Sequence, residues 1–140
     1  MLETSIFWVG IGQLILVVGS LAIPKVLNWN EDTSKLRPLT RQVFWTYAGY
    51  IWVTNLSFAL VSMMSPASLT DKSFLATAVT IYIFVYWLAR VIIQFTWFDR
   101  SDAPQGWFYS IAEALLVGLF IGLTAVYGWA VFENLSGAVV

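Results

Sequence analysis

The chain has 140 residues, 59% of them hydrophobic and 11% charged, with a mean hydropathy of +0.77 and a net charge of −1. A chain this apolar cannot cover itself with polar surface in water, which excludes an ordinary soluble domain. The near-neutral charge gives no argument for nucleic acid, and the lack of cysteine and histidine removes thiolate chemistry, histidine-ligated haem and an ordinary zinc or copper site.

Four apolar stretches are each long enough to cross about 30 Å of hydrocarbon, which takes about 20 helical residues. They lack the alternation of barrel strands, so the expected fold is an all-α integral membrane protein. The expected architecture is an antiparallel bundle of four transmembrane helices with short loops, a single domain over residues 1–140.

The first predicted helix covers about 5–27 and carries Gln13 in its interior. No basic residue precedes it and Glu3 does, so it reads as a retained helix rather than a secretory signal. A polar segment with Pro38 follows. The second helix, about 42–63, carries Tyr47, Tyr50, Trp52, Thr54 and Asn55. Ser65-Pro66 and the run Thr70 to Ser73 predict a turn and a helix cap. On the third helix, about 74–98, Tyr82, Tyr86, Arg90 and Gln94 recur every four residues and share one slowly drifting face. Trp87 stands three residues before Arg90, placed to lay its ring against the guanidinium. Asp99 to Gly106 reads as a tight hairpin. The fourth helix, about 107–132, carries Glu113 and the small-xxx-small pair Gly118 and Gly122.

Lys25, Lys35, Arg37 and Arg41 lie between the first two helices and Arg100 between the last two, whereas the opposite side offers only Lys72. The positive-inside rule then places loops 28–41 and 99–106 in the cytoplasm and both termini outside, with a bacterial inner membrane as the expected home. Trp29, Trp45, Trp97 and Trp107 at the inner helix ends, with Trp8 and Trp129 at the outer ones, form the matching aromatic belt.

Charge inside a membrane segment costs about 2.5–3.5 kcal/mol on insertion scales, so Arg90 and Glu113 draw the functional reading. Counted at about 1.5 Å per residue from the inner ends, Glu113 lies about 9 Å deep, Arg90 about 12 Å, and Gln13 and Asn55 roughly 16–20 Å. Consecutive antiparallel helices bring the two charges to one level, which predicts a buried salt bridge. Around it the sequence predicts an amphipathic pocket of Arg90, Glu113, Gln94, Tyr86, Tyr82, Asn55, Gln13, Trp87 and Trp52. The plain reading of the same residues is interhelical hydrogen bonding and an arginine snorkelling to headgroups.

Three functions fit these residues. The favoured one is a binding or accessory module, either holding a lipid-like amphiphile such as a quinone or isoprenoid, or serving as a small subunit of a larger membrane complex. The alternative is a homo-oligomeric transporter or channel using Glu113 with Arg90. A lipid-modifying enzyme comes last, because one carboxylate is thin support for catalysis. No haem or metal held by this chain is expected, and the expected partners are membrane lipids, a second copy of the chain or a larger complex.

Overall fold

A computed structural model describes residues 1–97 and 106–137, and every regular element among them is helical. The elements are α1 (Leu2–Ser20), α2 (Ile23–Val26), α3 (Trp29–Ser34), α4 (Pro38–Met64), a 3-10 turn (Ala67–Leu69), α5 (Phe74–Thr96) and α6 (Trp107–Gly137). Among the described residues, three helices are long and apolar enough to cross a membrane: Leu2–Ser20, Phe74–Thr96 and Trp107–Ser136. Helix α4 has 27 residues, which is ample length, but Arg41, Gln42, Thr46, Thr54, Asn55, Ser57 and Ser62 lower its hydropathy below that of a self-evident span.

The first helix ends at Ser20, earlier than the expected Leu27, and the cause is Pro24. A proline nitrogen has no hydrogen to give to the carbonyl four residues back, here that of Ser20. The chain passes instead through tight bonds from Leu21 N–H to Val18 O at 3.3 Å and Ala22 N–H to Gly19 O at 3.1 Å into the short α2. Asn28 then turns left-handed at φ 55°, a conformation asparagine tolerates, and α3 follows. Trp29, Phe44 and Trp45 meet edge to face, and Trp45 Nε1 donates to Thr33 Oγ1 at 3.3 Å, so this basic segment is fastened to the start of α4.

The predicted cap of α5 is present. Ser73 Oγ accepts from Ala76 N–H at 3.0 Å, and Asp71 accepts from Ser73 N–H at 3.0 Å. Of the hairpin expected over Asp99 to Gly106 only Gly106 is described, and Arg100 lies outside the described residues.

Helix α1 packs along α4, α5 packs along α6, and α1 also meets α6. The buried positions form stripes at three- and four-residue steps: Ile6, Gly10, Gln13 and Val17 on α1, Ala76, Thr80, Ile83 and Trp87 on α5, and Phe120, Leu123, Tyr127, Ala130 and Asn134 on α6. They run from the end that carries the 65–73 connection to about the middle of α5 and α6, and as far as Val17 on the shorter α1. Towards the basic end, no described residue of α4 before Phe58, of α5 after Trp87 or of α6 before Phe120 is buried. The two helix pairs therefore share a dry core over only half their length. A Cβ on Gly118 or Gly122 would meet nothing within 4 Å, so that small-residue pair makes no helix contact within the chain.

Candidate functional site

Four fully buried polar or aromatic residues, one from each long helix, close the core. Trp87 Nε1 on α5 can only donate, and it donates to Gln13 Oε1 on α1 at 3.2 Å. That fixes the amide orientation, so Gln13 Nε2 donates to the Tyr127 hydroxyl on α6 at 2.6 Å, and the Tyr127 hydroxyl also bonds Ser62 Oγ on α4. Among the described residues, no buried side-chain nitrogen or oxygen lacks a partner. This knot joins the helices without offering a vacant polar group, and it is a lock rather than a binding site.

A second clasp lies at the 65–73 end. Asn134 Nδ2 donates to Leu69 O at 2.8 Å and Thr80 Oγ1 at 3.2 Å, and its Oδ1 accepts from Lys72 N–H at 3.1 Å. This holds Lys72 at its left-handed φ of 65°.

The seam between α4 and α5 is different. The two helices touch through long side chains: Phe58 meets Tyr82 at 5.7 Å and Tyr86 at 5.1 Å between ring centroids, and the Tyr86 hydroxyl donates to Asn55 Oδ1 at 2.6 Å. Beside these contacts lies a cleft of about 360 Å³ lined by Ser57, Phe58, Val61, Ala78, Val79, Tyr82 and Ile83, whose exposed wall is almost wholly apolar. Among the described residues, nothing accepts a hydrogen bond from Asn55 Nδ2, and the Tyr82 hydroxyl makes none. Since every buried polar atom is satisfied, these groups face the accessible surface.

One turn beyond Tyr86, Arg90 Nη1 donates to Gln94 Oε1 at 2.9 Å and the guanidinium carbon lies 4.8 Å from the Phe120 ring centroid. Phe120 stacks on Trp87 at 5.5 Å and 19°. The expected stack of Trp87 on Arg90 is thus replaced by one through Phe120 of α6. The expectation of a salt bridge shielded in the interior needs correction as well: among the described residues no charged side chain is buried, and Arg90 and Glu113 are each half-buried. The reason is that the helix pairs hold no dry core at that depth.

The nine residues expected in one pocket are thus dispersed. Gln13 and Trp87 belong to the buried lock, and Trp52 bonds away from the seam, its Nε1 donating to Val17 O at 2.9 Å. Tyr82 lines the cleft, Asn55 and Tyr86 pair with each other on the far side of Phe58, Arg90 and Gln94 stand further along α5, and Glu113 sits on the first turns of α6. Sequence reasoning missed Tyr127, Ser62, Phe120 and Asn134. The signal that marks three of them is the heptad spacing of Phe120, Leu123, Tyr127, Ala130 and Asn134, which a uniformly apolar helix hides. No protein-family model matches the chain, and neither a curated protein nor a solved structure matches it.

Proposed function

We propose that all four long helices cross the bilayer as an antiparallel bundle and that the protein is a membrane-embedded binding module, holding a lipid-like amphiphile in the seam between α4 and α5. The observation that carries this reading is the apolar cleft beside Phe58 and Tyr82, with the Asn55 amide, whose Nδ2 meets no acceptor among the described residues, one helical turn from Phe58 along α4. Polar groups that face hydrocarbon are costly unless satisfied, so donors at mid-membrane depth call for a ligand's acceptors. The binding module fits better than a lipid-modifying enzyme, because the cleft wall holds no carboxylate. With loop 28–41 in the cytoplasm, the cleft lies in the outer half of a bacterial inner membrane, because Val61 and Ala78 stand about one turn from the 65–73 connection.

The test is mass spectrometry of small molecules retained after gentle extraction, with Ala78→Trp as the comparison. Ala78 is exposed on the cleft wall, so an indole there fills the cleft without disturbing the core. Wild type should carry an amphiphile and the variant should have lost it. Equal retention by both would refute the proposal.

A further inference from the structure

We infer that a hollow at the basic end of α1, separate from the α4–α5 cleft, seats the headgroup of a zwitterionic phospholipid with a primary ammonium, of the phosphatidylethanolamine class. A pocket of about 490 Å³ lies where α1 gives way to α2 and α3, and its wall is made by Leu21, Pro24, Lys25, Asn28, Asn30 and Glu31. Apolar side chains, amides and one charge of each sign thus share one surface. The charges line the same hollow without bridging it. Among the described residues, neither the Lys25 ammonium nor the Glu31 carboxylate has an ion pair or a hydrogen bond, and the side chains of Asn28 and Asn30 make no hydrogen bond. Asn28 even holds the position from which an asparagine ordinarily caps a helix, yet its side chain makes no cap bond to α3.

The other side of α3 is already fastened. The buried Thr33 hydroxyl donates to Trp29 O at 2.6 Å and accepts from Trp45 Nε1 at 3.3 Å, and Trp29 meets Phe44 and Trp45 edge to face. The hollow also stands at headgroup level, since Leu21 directly follows α1, a helix long and apolar enough to cross a membrane, and tryptophans such as Trp29 and Trp45 gather at that level. Because the formal charges of its wall cancel, the hollow favours a headgroup that carries both signs. A phosphate accepts from the Lys25 ammonium and from amide N–H groups, while a primary ammonium donates to the Glu31 carboxylate and to amide carbonyls. Leu21 and Pro24 are left for the glycerol and the first methylenes. Choline has no N–H to donate, and phosphatidylglycerol brings an anion but no cation for Glu31.

The experiment titrates detergent-delipidated protein, by native mass spectrometry, with phosphatidylethanolamine, phosphatidylcholine and phosphatidylglycerol of identical acyl chains, and with soluble glycerophosphoethanolamine. Phosphatidylethanolamine should bind about fivefold more tightly than either other lipid, the factor that one exposed ion pair supplies at its upper end. The soluble headgroup should not bind at the same concentrations. Glu31→Gln should remove the preference over phosphatidylcholine, and Lys25→Gln should weaken both of these lipids; each side chain is exposed, so neither change touches the core. Equal affinity of wild type for the three lipids, or phosphatidylglycerol bound most tightly, overturns the assignment, and neither result depends on a variant folding. A soluble headgroup that binds as well as the lipid overturns it too. If both variants keep the wild-type ranking, the headgroup sits elsewhere and the inference falls. The wall of the α4–α5 cleft carries no charge, so that cleft adds equally to every phospholipid and its own reading fails or stands separately.

Discussion

Tyr127→Phe isolates the buried lock, because it deletes one oxygen and leaves the ring. That oxygen takes the Gln13 N–H at 2.6 Å and shares a hydrogen bond with Ser62, and all three residues are at 0% exposure. Two polar groups on two other helices lose a partner in a place that neither water nor lipid can supply. Interhelical hydrogen bonds in membranes average about 0.6 kcal/mol with a maximum near 1.7, so two of them place the loss at about 1–3 kcal/mol. Reversible unfolding in mixed micelles with rising dodecyl sulfate, followed by tryptophan emission, measures it, since Trp87 stacks on Phe120 only in the folded chain. In a Ser62→Ala background one of the bonds is already absent, so the same substitution should cost less by about 0.6–1.7 kcal/mol. A Tyr127→Phe protein within about 0.3 kcal/mol of wild type, or an equal cost in both backgrounds, would refute the lock.

Three further outcomes follow from the geometry. A Cβ on Gly10 would stand 2.9 Å from Met63 Cγ, 3.0 Å from Ser62 Cβ and 3.1 Å from the Met63 backbone nitrogen, whereas one on Gly49 meets nothing within 4 Å. Gly10→Ala should therefore destabilise by about 1–3 kcal/mol in the same unfolding assay, and Gly49→Ala should be neutral or stabilising by up to about 1 kcal/mol. Because the chain has no cysteine, single cysteines at Lys35 and Asp71 give clean topology labels. If α4 spans, an impermeant maleimide must reach them from opposite sides, and labelling of both from one side would remove α4 from the membrane. Hydrogen bonds from Ser73, through its hydroxyl and then its backbone N–H, hold the Asp71 carboxyl below its ordinary 3.8. A depressed carboxylate stabilises fully above its ordinary value and loses that contribution as pH falls through the lowered one. Hydrogen-exchange protection of the Ser73 amide should accordingly be level across neutral and mildly acidic pH and drop only below 3.8, and an earlier decline would contradict the cap.

The helical class and the helix starts at Phe74 and Trp107 were legible in the sequence, because apolar length and capping residues are local signals. Helix α1 ran short of its apolar stretch for an equally local reason, since Pro24 withholds one hydrogen from Ser20. The facing of the helices was far less legible. In water an apolar stripe shows which side is buried, but here Leu115 and Ile121 are exposed and Gln13 and Asn134 are buried. In lipid the packing face is set by small and polar residues at heptad spacing, and hydrophobicity carries no contrast between the two sides. Arg90 and Glu113 caught attention through their charge, whereas Ser62 and Tyr127, which tie the helices together, look like ordinary members of apolar runs. Asn55 and Tyr86 stood out as interior polar residues, and their hydrogen bond across the α4–α5 seam needed the fold to become visible.

The most direct test of the occupied seam is photocrosslinking in native membranes, with a photoreactive side chain at Ala78 on the cleft wall and a control at the exposed Leu115 of α6. The account predicts a dominant adduct of one amphiphile class at position 78, against a mixture that mirrors bulk lipid at 115. The same bulk-lipid mixture at both positions would contradict it.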